Sequence, residues 1–241
     1  AQLPPKYMRR ASPFLFIVLV GLLACVLLFG VGAKGAQRWL ALPGGLRFQP
    51  SEIMKIVMPM MVAWYFANRP LPPSFKEIVT VLVIIAVPSL MVAKQPDLGT
   101  ALLVGVSGIF ALFLAGLGWR YIIGAAAAVP VAAYGLWQVM RDYQKQRVLT
   151  FLDPESDPLG SGWNIIQSKT AIGSGGIDGK GWLQGTQSQL NFLPESPTDF
   201  IIAVLAEEHG LFGVLSIMAL YIVIIARCLV ISSRAQQTFG R

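Results

Sequence analysis

The feature of this sequence that most constrains its fold is a series of long apolar runs, most of them uncharged, separated by short polar connections. A helix needs about 20 apolar residues to cross the hydrocarbon core of a bilayer. Of the 241 residues, 55% are hydrophobic and only 13% are charged, whereas soluble domains carry about a quarter charged residues. The sequence therefore predicts an all-α, polytopic transmembrane helical bundle. About six spans are predicted, at Phe14–Ala33, Ser51–Ala67, Ile78–Ala93, Leu98–Trp119, Tyr121–Met140 and Gly210–Ala226.

The charge pattern favours a membrane surface over nucleic acid as the partner. The net charge is +7, but the basic residues are scattered through the connections and form no single basic face. Anionic headgroups of membrane lipids, or a phosphorylated lipid, suit such a pattern better than a nucleic acid does. The two cysteines, Cys25 and Cys228, lie inside apolar runs, so we expect them to pack without forming a disulfide.

One long polar segment, residues 141–198, interrupts the apolar pattern before the last span. The basic residues of the short connections favour an N-terminus on the cytoplasmic side. The segment 141–198 is therefore predicted to be a large extracytoplasmic loop. The connection 34–50 is predicted as a loop on the same outer side, although it is basic. Positive charges on that side are unusual, so we expect them to bind an anionic group.

A carboxylate stands at the end of the polar segment. Asp199 directly precedes the apolar run Phe200–Ala206, where water should give way to lipid. An acid at such a border is unfavourable without a partner or a chemical task. Two interpretations are open, a catalytic acid or base and the N-cap of the helix that begins near Phe200.

Several short strings of the sequence resemble the SEDS family (shape, elongation, division and sporulation), in particular its rod-shape branch. The strings are KGAQRW, FQPSEIMK, KQPDLGT, GSGG followed by GKGW, GTQS followed by FLPE, and TDFIIAVLAEE. Family members have ten spans, and this sequence resembles the third to the eighth. The resemblance implies a part of a longer bacterial inner-membrane protein that polymerises lipid II on the periplasmic side, as a peptidoglycan glycosyltransferase, together with a class B penicillin-binding protein.

The resemblance also implies roles for individual residues. It places the catalytic base at Asp199, and it places Arg38, Glu52 and Lys55 in the active cavity, where the two cations would hold diphosphate oxygens. From spacing alone, Glu52 and Lys55 form a structural ion pair on one helix face. Asp97 is a further cavity carboxylate or, in the interpretation that we favour slightly, the cap of the helix at Leu98.

Two glutamines complete the predicted substrate-binding set. Gln184 and Gln187 are candidates for hydrogen bonds to sugar hydroxyls, although polar loop residues usually face water. Two functions other than polymerisation remain open, a lipid II flippase and a non-catalytic scaffold for the penicillin-binding protein.

Other polar signals predict less. The glycines of GSGGIDGKGW do not have the spacing of a phosphate-binding loop and are expected to allow a re-entrant turn at the headgroups. Glu207 and Glu208 are expected to mark a polar helix face at the membrane interface. His209 has no cysteine or second histidine beside it, so no zinc site is predicted. The alternating acids of DPESDP predict a solvated turn. The same three acids could instead hold a divalent cation, so Mg or Mn remains open as a cofactor.

Overall fold

The computed structural model describes residues 4–33, 36–41, 47–140, 142–158, 160, 162–189, 200–235 and 238–240. These residues are mainly helical, which confirms the predicted fold class. The α-helices are α1 (Pro5–Phe29), α2 (Pro50–Phe66), α3 (Phe75–Lys94), α4 (Leu98–Leu114), α5 (Trp119–Val139), α6 (Asp142–Leu152), α7 (Trp163–Gly175), α8 (Thr186–Gln189) and α9 (Ile201–Arg234). Short 3-10 helices lie at Pro154–Ser156 and Thr238–Gly240.

The chain divides into two compact units, one made of Ala1–Ala125 with Ile231–Arg241 and the other of Ala126–Val230. In the first unit, α2 packs against both α1 and α4, and α3 packs against α4. The core of this unit is made of fully buried aliphatic and methionine side chains, among them Leu23, Met54 and Val104. The first unit thus has a continuous core that holds its helix ends in fixed positions.

The connection between α1 and α2 contains regular structure that the sequence does not indicate. The helix α1 ends at Phe29, and the residues predicted as the end of the first span form strand β1 (Val31–Ala33). Strands β2 (Ala36–Ala41) and β3 (Arg47–Phe48) follow, and the antiparallel sheet has the order β1-β2-β3. Strands β1 and β3 have only three and two residues. The sequence AQRWLA of β2 does not alternate between apolar and polar residues, so periodicity identifies none of the three strands.

Capping residues determine where α3 and α4 begin. Ser74 and Glu77 form a capping box, in which the Glu77 carboxylate accepts hydrogen bonds from the backbone N–H and the hydroxyl of Ser74 at 2.7 and 2.8 Å. Asp97 caps α4 by accepting from the backbone N–H of Thr100 at 3.3 Å. The predicted start of a helix at Leu98 is therefore confirmed.

In the second unit, α9 is broken at a buried glycine, Gly210, whose φ of 60° lies in the left-handed region. Residues 176–181, which we call the glycine loop, bond the backbone groups on both sides of the break. The amides of Lys180 and Gly181 donate to the carbonyl oxygens of Glu207 and Glu208 at 3.0 and 2.9 Å. Buried polar backbone groups need such partners, so the loop completes the helix that it contacts.

This contact requires glycines. A Cβ at Gly210 would overlap the backbone of Ile177 and Gly179, and a Cβ at Gly175 would overlap the carbonyl oxygen of Ala206. The predicted role of these glycines as turn residues is therefore only part of their function. They also allow two backbones to approach within hydrogen-bonding distance.

Four of the described helices, α1, α3, α5 and α9, are long and apolar enough to cross a membrane, and α4 is a shorter apolar helix. Each predicted span falls mainly within one helix, although the last helix begins at Ile201, before the predicted Gly210. The helix α5 buries none of its side chains in this chain, and α9 buries none after Gly210. Such apolar faces are typical of segments that contact lipid or another helix.

The close approach of α7 to α9 gives a prediction for stability. Gly175→Ala should lower stability by about 1–3 kcal/mol, because the added methyl group must push α7 away from Ala206. Gly173→Ala is the matched control on the same helix, since a Cβ there meets nothing within 4 Å. That control should be neutral or stabilising, by about 0.5–1 kcal/mol. Thermal unfolding in detergent measures both, and equal melting temperatures would contradict the proposed packing.

Candidate functional site

Arg38 of strand β2 contacts the residues that begin α4. The Arg38 Nη2 donates to the carbonyl oxygen of Pro96 at 2.7 Å. Its Nε lies 3.6 Å from the Asp97 Oδ2, as an ion pair without a hydrogen bond. Asp97 is therefore the cap of α4, the interpretation that the sequence favours, and also the counter-ion of Arg38. Its role as a cavity carboxylate stays a prediction.

The N-terminus of α2 joins the same cluster. The Gln49 Nε2 donates to the Ser51 Oγ at 3.0 Å and to the Asp97 Oδ2 at 3.5 Å. Glu52 and Lys55 lie in the first two turns of α2 and pair with each other, with 2.8 Å between Oε2 and Nζ. The structural ion pair expected from their spacing is confirmed. Both side chains are partly open to solvent, so the Lys55 ammonium remains accessible to a ligand.

The turn that carries Asp97 is anchored to the core of the first unit. Gln95 is buried, and its Nε2 donates to the carbonyl oxygen of Leu23 in α1 at 3.2 Å. The turn 95–97 thereby links α1 through Gln95, β2 through Pro96 and α2 through Asp97. We call Arg38, Asp97, Glu52 and Lys55 a cluster because Gln49, directly before α2, bonds Asp97, and Glu52 and Lys55 follow in the first turns of α2. The cluster carries as many acids as cations.

A second cluster lies in the other unit, around Glu207 of α9. This carboxylate is fully buried. Its Oε1 accepts hydrogen bonds from the Lys180 Nζ at 2.8 Å, the Thr186 Oγ1 at 3.1 Å and the backbone N–H of Gln187 at 2.9 Å. The Lys180 Nζ also donates to the Thr186 Oγ1 at 2.7 Å. One charged atom pair therefore holds the glycine loop and α8 against α9.

The two predicted glutamines differ in their surroundings. Gln184 is exposed, as expected for a polar loop residue. Gln187 is partly buried, and its Oε1 is buried without a hydrogen-bond partner. An acceptor that is removed from water and left unpaired is unfavourable, so the Gln187 side chain is the better candidate of the two for a ligand contact.

The predicted polar helix face at Glu207 and Glu208 is wrong. Both residues are buried, with exposures of 0% and 6%. The reason is that a cation 27 residues earlier, Lys180, neutralises Glu207, which makes burial of the carboxylate tolerable. His209 packs edge-on against Trp182, with 5.7 Å between the ring centroids.

The predicted catalytic residue, Asp199, lies outside the described residues, so its role stays a prediction. Among the residues that the structure describes, no group of three or more histidine, cysteine, aspartate or glutamate side chains could hold a metal ion. The acids of DPESDP flank a 3-10 turn at Pro154–Ser156, in which Glu155 is exposed. Dependence on Mg or Mn therefore stays open, with no described site assigned to it.

Comparison with known proteins decides the family. A protein family described as cell cycle protein, comprising FtsW, RodA and SpoVE, matches residues 1–241. The chain belongs to this family. The resemblance drawn from the sequence motifs is thereby confirmed, and with it a multi-pass α-helical membrane protein.

Named relatives match across the whole chain. The peptidoglycan glycosyltransferase MrdB of Escherichia coli (strain K12) is 59% identical over 244 residues, covering 100% of this chain and 65% of the relative. The probable peptidoglycan glycosyltransferase FtsW of Trichlorobacter lovleyi is 41% identical over 241 residues, covering 97% of this chain and 61% of the relative. The chain thus spans about two thirds of the length of the curated relatives that it matches.

Solved structures agree on the fold. A chain from a peptidoglycan synthase complex, studied for the coordination of polymerization and crosslinking, matches with a TM-score of 0.78 and 27% identity, covering 100% of this chain and 66% of that one. The rod shape determining protein RodA of Thermus thermophilus matches with a TM-score of 0.63 at 22% identity, covering 99% and 62%. The second likeness supports the fold alone.

The sequence does not indicate three members of these clusters, Gln49, Gln95 and Lys180. All three stand in strings that carry the family resemblance, FQPSEIMK, KQPDLGT and GKGW, but nothing in the spacing pairs them with a distant element. One sequence pattern does indicate that a cation such as Lys180 is needed. The run AVLAEE places acids directly after apolar residues, and an acid in such surroundings requires a cation from elsewhere in the chain.

Proposed function

We propose that the protein is a peptidoglycan glycosyltransferase that polymerises lipid II into glycan strands during cell elongation. The observation that carries this proposal is the 59% identity, across the whole chain, to a relative named as a peptidoglycan glycosyltransferase. The cluster of Arg38, Asp97, Glu52 and Lys55 supports it, because two cations, Arg38 and Lys55, are held by ion pairs and keep partly exposed side chains. A diphosphate leaving group requires cations held in this way.

The reaction joins two lipid-linked substrates. A sugar hydroxyl of lipid II attacks the anomeric carbon of the lipid-linked donor chain, with inversion. A new C–O bond forms, the bond to the lipid diphosphate breaks, and its electron pair leaves with the diphosphate. Asp199 is the base that receives the hydroxyl proton. Arg38 offers a planar guanidinium to the diphosphate oxygens, and Lys55 offers a point charge.

The same proposal includes location and partner. Residues 141–198 face the periplasm, so that the reaction takes place on the outer side of the cytoplasmic membrane. The partner is a class B penicillin-binding protein, which is supported by the likeness to a chain from a peptidoglycan synthase complex. Lipid II reaches the site within the membrane, as its lipid chain requires.

Replacement of the base is the sharpest test. In the full-length protein, Asp199→Asn should lower polymerisation of purified lipid II by about 100-fold or more, the usual contribution of a positioned base. Folding and lipid II binding should survive, because asparagine is nearly isosteric and still caps a helix. Asp142→Asn, at an exposed aspartate in the first turn of α6, is the control and should remain active. Normal polymerisation by a folded Asp199→Asn protein would refute the assignment.

The diphosphate contacts have a separate test. Lys55→Ala should reduce kcat/KM for lipid II about 10- to 100-fold, the worth of a hydrogen bond to a charged group. Folding should be unaffected, since its partner Glu52 is exposed. Lys76→Ala, at an exposed lysine of α3, should leave turnover unchanged.

Arg38 is tested in the same assay with two variants. Arg38→Lys should recover only part of the activity lost in Arg38→Ala, because an ammonium group cannot form a bidentate contact. Wild-type kinetics in Lys55→Ala and Arg38→Ala alike would remove both residues from the site.

Membrane orientation is tested with single cysteines in a background lacking Cys25 and Cys228. A cysteine introduced by Glu155→Cys, in the segment 141–198, should react with an impermeant thiol reagent in cells whose outer membrane has been made permeable. A cysteine introduced by Asn68→Cys, between α2 and α3, should react only after the inner membrane is opened. Both replaced residues are exposed. The opposite labelling pattern would overturn the periplasmic location of the site.

A further inference from the structure

The buried carboxylate of Glu207 has more partners than charge neutralisation requires. One ammonium, from Lys180, is enough to balance its charge. The carboxylate nevertheless also accepts from the Thr186 hydroxyl and from the backbone N–H of Gln187. Both of these donors belong to α8, a helix of only four residues, which makes little helical stabilisation of its own. The position of α8 therefore depends on the acceptor at Glu207.

Lys180 is fixed from two directions. Its backbone N–H donates to the carbonyl oxygen of Glu207 at 3.0 Å, and its Nζ reaches both Glu207 and Thr186. The glycine loop thus places the ammonium where it joins α9 to α8. Charge-assisted hydrogen bonds are shorter and stronger than neutral ones, and the Lys180 Nζ bonds Glu207 and Thr186 together, so the pair ties α8 to α9.

Gln187, whose backbone Glu207 holds, carries a side-chain acceptor without a hydrogen-bond partner. The Gln187 backbone is anchored by Glu207, while its side-chain Oε1 is buried and has no hydrogen-bond partner. An amide oxygen can accept only from a donor, and the hydroxyl groups of a glycan are donors. Gln187 also directly precedes the stretch 188–199, which leads to Asp199, and Glu207 lies on the helix that follows this stretch.

We propose that Lys180 and Glu207 are positioning residues, which hold α8 so that the Gln187 Oε1 accepts a hydrogen bond from a hydroxyl group of the glycan substrate. The inference rests on the proposed function. It selects one of the two glutamines that the sequence offers as substrate contacts and adds the residues that position it. Gln187 touches the substrate, whereas Lys180 and Glu207 act through Gln187. No covalent step is assigned to any of the three.

The experiment compares two double variants of the full-length protein that differ only in the acceptor at position 207. Lys180→Met with Glu207→Gln removes the charges but keeps an amide oxygen for the Gln187 N–H. Lys180→Met with Glu207→Met removes the charges and the acceptor. A protein usually stays folded when a buried ion pair is replaced by apolar residues of similar volume. The melting temperatures of the two double variants should therefore agree within a few degrees. Lys169→Met, at an exposed lysine of α7, is the control for loss of a lysine.

Turnover of lipid II is the readout. The double variant with Glu207→Gln lacks the Lys180 ammonium but keeps the acceptor for Gln187, so it should keep part of the wild-type kcat/KM. The double variant with Glu207→Met lacks both and should lose about 10- to 100-fold, the worth of one or two hydrogen bonds to a substrate or its support. Equal activity of the two double variants would overturn the inference, because a merely structural ion pair predicts that result.

A third variant tests the substrate contact if the double variant with Glu207→Met fails to fold. Gln187→Leu keeps the backbone anchor and removes only the side-chain acceptor, so its melting temperature should be unchanged while kcat/KM falls to a similar extent. Wild-type kinetics in Gln187→Leu would overturn the substrate contact. Failure of the proposed function looks different: the wild-type protein would then not polymerise lipid II at all, or Asp199→Asn would be fully active.

Discussion

The second unit depends on one requirement, that polar groups freed by a break in a buried helix must be bonded by another part of the chain. Gly210 breaks α9, and the backbone of the glycine loop supplies donors and acceptors on both sides of the break. Each unsatisfied buried group would cost about 1–3 kcal/mol. The glycines at 175, 179 and 210 follow from this requirement, since any Cβ there would separate the two backbones. The Lys180–Glu207 pair adds a charged contact to the same joint.

Acids hold cations in both units. Arg38 pairs with Asp97, Lys55 with Glu52 and Lys180 with Glu207. The pairs differ in exposure, from the half-exposed Glu52 to the fully buried Glu207. Exposed pairs contribute about 0–1 kcal/mol and can exchange partners, whereas a buried pair is strongly destabilised by loss of one member. The Lys55 pair is therefore suited to a ligand that comes and goes, and the Lys180 pair is suited to a fixed support.

Local sequence signals predict those parts of the structure that depend on local physics. The apolar runs locate the long helices, the spacing of Glu52 and Lys55 predicts their ion pair, and Asp97 predicts the start of α4. Local sequence signals fail where contact with a distant segment determines whether a residue is buried. Glu207 is buried only because Lys180 reaches it across a sequence separation of 27 residues. The sequence of β2 does not alternate, and β3 is too short to show a period. Asp199 remains a prediction from family resemblance and from its place before an apolar run.

The order of the glycine loop and α9 along the chain has a consequence for assembly during synthesis. The loop is made before the helix whose break it fills, so its donors and acceptors are already available when residues 207–212 emerge. Glu207 does not have to wait for a cation made later, because Lys180 precedes it in the chain. The apolar half of α9 that follows Gly210 can therefore enter the bilayer while the joint behind it is closing. A circular permutation that moved the loop after α9 would reverse this order and expose Glu207 to lipid or to chaperones before its cation existed.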